Sequence, residues 1–146
     1  MLYAVRVIAV LFSALALVPA GAHFLSLYNK IQLDGDAYLA SQRAYDGWSL
    51  LAVVVIGALL STLVLTIALY RAGEPYILAA LALVCLIGTQ VIFWMFTYPM
   101  NTATRNWTYL PPKWEFLRLQ WELSHAGSAI LNAAALLLLI FATVKG

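Results

Sequence analysis

The chain has 146 residues, 64% of them hydrophobic and 10% charged, with a mean hydropathy of +0.91. A water-soluble domain carries roughly 25% charged residues, so this composition excludes one, and it lacks the low hydrophobicity and high net charge of a disordered chain. Eight Lys and Arg against six Asp and Glu leave +2, no footprint for nucleic acid, and the single cysteine, Cys85, has no partner for a disulfide or thiolate metal site.

What remains is an all-α integral membrane protein of one domain. A bilayer core of about 30 Å needs about 20 apolar helical residues. Four stretches qualify: 2–27, broken by Arg6 and His23; 48–70 and 76–98, both uncharged; and 121–144, with Glu122 and His125 near its start. Period-2 alternation is missing, which argues against a β-barrel. Helices satisfy their own backbone in lipid, so the expected fold is a four-transmembrane-helix bundle. Ala20-Gly21-Ala22 looks like a small-residue cleavage site. Arg6 alone makes a thin basic flank, however, and the first segment is expected to stay as a span.

The connections are unequal. Residues 71–75, Arg-Ala-Gly-Glu-Pro, form a tight turn, while 28–47 and 99–120 are long. Four spans then put both long loops on one membrane face and the termini with the short turn on the other. Lys30, Arg43, Arg105, Lys113 and Arg118 lie on the long-loop face; Arg6, Arg71 and Lys145 lie on the terminal face. The raw count favours cytoplasmic long loops, but long loops dilute that rule, and cations close to the spans tip the expectation towards cytoplasmic termini.

Aromatic and polar residues crowd the long-loop end. Four of the five Trp, all but Trp94, belong there, either as an interfacial belt or as walls for a flat hydrophobic ligand. His23, Asp46, Asn101, Glu122 and His125 come from four helix ends at one depth, with Pro99 expected to end the third helix before Asn101. Ionisable groups in spans suggest function by default. Arg118, Glu122, His125, Ala129 and Asn132 share one helical face, flanked by small residues that allow close packing. The local expectations are an Arg118–Glu122 ion pair at i, i+4 and a Gln90–Asn132 hydrogen bond at mid-membrane. The Ala-rich fourth span with Gly57, Gly88 and Gly127 also suits a homo-oligomer.

Several chemistries fit these residues. Glu122-Leu123-Ser124-His125 resembles half of a di-iron site, but the spans hold too few carboxylates for a pair of irons. His23, Glu122 and His125 would make a two-His, one-carboxylate set for one Fe or other transition metal. Bis-histidine haem is disfavoured because both histidines lie at one end. Nucleophilic triads, phosphate loops and redox Cys pairs are absent from the sequence. A small-multidrug-type transporter also has four spans, but would carry a carboxylate in the first, where this chain has His23.

From Asn101 onward the chain resembles the anthrone-oxygenase-like family of small four-span membrane proteins. The resemblance rests on Asn101, Trp107, Pro111-Pro112, Trp114, Leu117-Arg118 and Trp121-Glu122-x-x-His125, about a third of the chain. Where many relatives carry Arg three residues after the histidine, this chain has Ser128. The resemblance implies oxidation of an anthrone-type polycyclic phenol to the quinone by O2, without a required organic cofactor. Fitted to that chemistry, His125 is the base, with Glu122 or Asn101 fixing its tautomer, and His23 is the second candidate. Asn101 or Arg118 would hydrogen-bond the enolate oxygen, and Trp107, Trp114 and Trp121 would stack on a substrate arriving from the bilayer. The alternative is a noncatalytic lipid-binding or assembly subunit whose polar cluster fastens the bundle.

Overall fold

Each apolar stretch is a helix long enough to cross a bilayer, as seen in a computed structural model that describes residues 2–144. Lys145, counted above with the terminal-face cations, lies outside them. Helix α1 runs Leu2–Lys30, and a short α2, Gly35–Gln42, follows. Two 3-10 turns, Arg43–Tyr45 and Trp48–Leu51, lead into α3, Ala52–Ala72, and then α4, Ile77–Ile92. A π-helical turn, Phe93–Thr97, joins α4 to α5, Tyr98–Ala103, and α6 spans Trp114–Val144. The protein is an all-α, multi-pass membrane bundle. α1 packs against α3 and α6, and α4 against the same two, so the four long helices form a square with both long connections at one end.

Two boundaries differ from the sequence reading. Pro99 does not end the third span: the helix passes through it to Ala103, which puts Asn101 on a helix. Proline lacks an N–H and its ring crowds the carbonyl four residues back, here Met95. The wider π turn just before Pro99 absorbs that clash, and such turns recur at functional sites. The fourth helix starts seven residues earlier than expected, at Trp114, so Arg118 sits on its first turns rather than in a loop.

The short turn is closed by Gly73 in the left-handed region, with the Glu74 N–H bonded to the Leu69 carbonyl. Arg6 of α1 forms an ion pair with Glu74 and so clasps the terminal face. The core between the helices is built from small residues, Ala9, Ala16, Ala58, Ala79, Ala82 and Ala135, with Leu65, Leu69, Leu86 and Leu139. Large apolar side chains such as Leu11, Val18, Leu60, Val84 and Leu137 instead cover the outside, the distribution expected of a lipid-facing surface. The glycines named above face neighbours within the chain: Gly57 meets Phe12, Gly88 meets Leu131 and Gly127 meets Ile92. A Cβ at Gly57 would run into the Phe12 ring. Gly57→Leu is therefore expected to destabilise the bundle by about 1–3 kcal/mol, the cost of overpacking, read from thermal unfolding in detergent. An unchanged midpoint would show that α1 and α3 are not packed this closely.

Candidate functional site

The long-loop end is organised by three side chains from three elements. Lys30 closes α1 seven residues, about two helical turns, beyond His23, so the two share a face. Asp34 then caps α2, its carboxylate accepting from the Ala37 N–H at 2.9 Å, and this turn lays Tyr38 over the mouth of the bundle with no exposed surface. Lys30 Nζ lies 2.9 Å from Glu122 Oε1, and the Tyr38 hydroxyl donates to the same oxygen at 3.0 Å. Burial, and next the Glu122 charge, push the Tyr38 phenol far above its ordinary range, so it stays protonated and acts as a donor. Glu122 Oε2 is buried and has no hydrogen-bond partner among the described residues.

Tyr38→Phe removes one of the two donors to a buried carboxylate while leaving its shape. The expected loss is about 1–3 kcal/mol of stability, measured by thermal unfolding in detergent. A variant as stable as the parent would mean that the phenol does not reach Glu122.

The histidines meet beside this ion pair. The His23 and His125 rings have centroids 4.2 Å apart. Trp121 lies against His125 with centroids 4.0 Å apart and the rings tilted by 41°, and meets His23 edge-on at 5.0 Å. Tyr45, at 4.2 Å, and Trp48, at 5.6 Å, complete the ring of aromatics around His23. Lys30 lies over both the Tyr45 and Trp121 rings, 4.9 and 5.1 Å from their centroids, so cation–π attraction adds to its ion pair.

Hydrogen bonds assign the tautomers. His125 Nδ1 is 2.9 Å from the Trp121 carbonyl, which only accepts, so Nδ1 carries a proton and, in the neutral imidazole, Nε2 keeps its lone pair. His23 Nδ1 is 3.5 Å from Lys30 Nζ, and an ammonium only donates. With Lys30 as the donor, Nδ1 of His23 is the acceptor and the ring proton is on Nε2. Neither Nε2 has a protein partner among the described residues, and neither is among the buried polar atoms left unpaired. His125 itself is only half-buried.

The supports of Trp121 are equally specific. Its indole N–H donates to Asn101 Oδ1 at 2.7 Å, and its carbonyl also accepts from Ser124 Oγ at 2.7 Å. Ser124 in turn pairs with Thr97 of the π turn at 2.8 Å. The widened turn thus fixes the backbone that holds His125. After α5, Arg105, Asn106 and Trp107 all take left-handed conformations. Thr104 holds that turn, its hydroxyl donating to the Met100 carbonyl and accepting from the Trp107 N–H. The strain delivers Trp107 into a buried contact with Tyr38 and Trp121.

Several expectations need correction. Arg118 does not pair with Glu122: it donates to the Leu33 carbonyl and lies over the Tyr38 and Trp114 rings. Glu122 and Asn101 do not orient His125; a backbone carbonyl does. Gln90 bonds Thr89 and Asn132 bonds the Ser128 carbonyl, not each other. Asp46 pairs with Arg43 at the surface and takes no part in the convergence. His23, Glu122 and His125 are neighbours but not a ligand set. No three His, Cys, Asp or Glu side chains among the described residues are grouped to hold a metal, and Glu122 is held by Lys30 and Tyr38.

The indoles do not frame an open slot either, since Trp107 and Trp121 are buried against Tyr38, with Trp114 packed beside them. A groove of about 400 Å³ lies instead on the outer side of the bundle, lined by Ile92, Phe96, Phe116, Leu119, Leu123 and Ser124. Comparisons of the chain with protein-family models, with curated proteins and with solved structures find no match.

Proposed function

We propose that the protein is a membrane-embedded oxidoreductase that uses O2 to oxidise a flat, hydrophobic, anthrone-like substrate, with His125 as the base. The observation that carries this reading is the His125 imidazole, held through one ring nitrogen only. Its Nδ1–H is tied to the Trp121 carbonyl and its Nε2 has no protein partner, beside a second imidazole at 4.2 Å. A neutral imidazole suits abstraction of a proton from a CH2 activated by a conjugated carbonyl.

The balance is simple. His125 takes H+ from the CH2, and the electron-rich carbanion passes one electron to O2. Recombination of the carbon radical with superoxide, and return of the proton, gives a hydroperoxide. Loss of water from it leaves C=O, so CH2 and O2 become C=O and H2O. This is the chemistry that the anthrone-oxygenase-like resemblance implies. None of these steps requires a metal. A substrate dissolved in the bilayer would approach the half-buried His125 laterally; the outer groove is lined by Ser124, the residue before it, and not by His125 itself.

The orientation belongs to the same reading. Lys30 and Arg118 are folded into the site, so the long-loop face loses two of its five loop cations. With Arg71 directly at the end of α3, cytoplasmic termini are favoured.

The test is purified protein in lipid nanodiscs given anthrone in air, with O2 uptake and quinone absorbance followed together. Stoichiometric uptake of O2 with quinone formation above protein-free nanodiscs is expected; no excess over the blank rejects the reading. A second reading, a noncatalytic assembly or lipid-binding subunit, draws on one observation: the Lys30–Glu122–Tyr38 cluster ties α1, α2 and α6 together by itself.

A further inference from the structure

His23 packs beside His125, ring centroids 4.2 Å apart, but with the opposite hydrogen-bonding character. Its Nδ1 lies 3.5 Å from Lys30 Nζ, and Lys30 is ion-paired with Glu122 at 2.9 Å. Both partners of that ion pair are buried, with side chains 6% and 0% exposed, so the pair is shielded from exchange with solvent ions. His23 is confined by Tyr45, Trp48, Trp121 and His125, which restricts its ring orientation as well as its tautomer. An acceptor Nε2 on one imidazole and a donor Nε2–H on the other, on rings 4.2 Å apart, match two atoms of one substrate: an acidic C–H and a carbonyl oxygen.

We infer that Lys30 is a positioning residue that holds His23 as an Nε2–H donor, and that His23 binds the substrate's carbonyl oxygen while His125 takes the proton. Within the proposed substrate class, such a donor selects the ketone over a flat hydrocarbon of the same shape that lacks the carbonyl. This rests on the proposed base role of His125 and adds the electrophilic half of the site. As the C–H bond breaks, negative charge moves onto the carbonyl oxygen, and a preorganised donor there stabilises the enolate more than the ketone. The arrangement also explains a buried ion pair that touches neither reacting atom: its effect is passed through His23.

The protein has two histidines, which makes the test direct. Protein carrying 15N-histidine is placed in lipid bilayers and its ring nitrogens are read by solid-state NMR, with His125→Gln used for assignment. Anthrone and 9,10-dihydroanthracene, which is flat but lacks the carbonyl, are the two probes. The expected result is His23 protonated on Nε2 and His125 on Nδ1, with anthrone moving both free Nε2 signals and dihydroanthracene leaving that of His23 in place.

In the double variant K30M/E122L, where donor and counter-ion are both replaced by apolar groups, His23 is expected to lose its single tautomer. The rate of anthrone oxidation is expected to fall at least tenfold with little change in KM. Should that variant not fold, the wild-type tautomers decide alone. His23 protonated on Nδ1, or doubly protonated, overturns the inference. If anthrone moves the His125 signal but not that of His23, the donor role is wrong while the base role survives. If neither signal responds to anthrone, both fall.

Discussion

His125→Gln is expected to slow anthrone oxidation by about 100- to 10,000-fold, the usual contribution of a positioned general base, while leaving a folded bundle. Glutamine can still donate to the Trp121 carbonyl, as His125 Nδ1 does, but offers no basic nitrogen. The structural cost is confined to the tilted ring contacts with Trp121 and His23, worth about 0.5–1.5 kcal/mol each. Rate and stability must therefore separate. Quinone formation measured alongside thermal unfolding distinguishes the two readings of the site. A stable protein with a collapsed rate supports catalysis. Loss of both supports a residue that only fastens helices, and a stable protein with a normal rate removes His125 from the chemistry.

The largest stability effect is expected at Lys30. Lys30→Met leaves Glu122, itself 1% exposed, buried without a counter-charge, and breaking a buried pair from one side costs about 3–5 kcal/mol. The double variant K30M/E122L is expected to recover most of that loss, because apolar replacements no longer bury a charge. The difference between the single and double variants is the coupling of the pair. Thermal unfolding in one detergent, followed by near-ultraviolet circular dichroism, reads it. Equal stability of Lys30→Met and wild type would show that Glu122 has another partner or is protonated.

What the sequence revealed depended on how local each determinant was. The four spans follow from length and apolarity alone, and the helices observed cover them, the third starting one residue later at Ile77. The meeting of His23 with Trp121 and His125 was legible because four spans and two long loops on one face force those helix ends to one depth. Partner choice was not. Arg118 stands four residues before Glu122, and a rule of local spacing joins them. The carboxylate is instead met by Lys30 and Tyr38, 92 and 84 positions away in sequence.

A signal for Lys30 did exist. It follows His23 by seven residues on one helix, so a face carrying the histidine had to carry the lysine too. Tyr38 had only the Asp34 cap to announce a short helix, and nothing local placed that helix over the bundle mouth. Pro99 misled for a physical reason. A proline ends most helices, but a π turn can absorb it, and packing of Thr97 on Ser124 is what favours the turn here. The buried positions of Trp107 and Trp121 were likewise invisible, since an indole in a loop reads equally as ligand wall or as core.

One distance carries the whole account: that between the imidazoles of α1 and α6. With histidine as the sole 13C-labelled residue, solid-state correlation spectra in lipid bilayers contain two ring systems, and any cross-peak between them reports His23 near His125. Ring centroids 4.2 Å apart predict strong inter-residue ring-to-ring cross-peaks at short mixing times. Their absence, with both rings individually well resolved, would place the histidines apart and contradict the donor–acceptor pair and the proposed oxidation together.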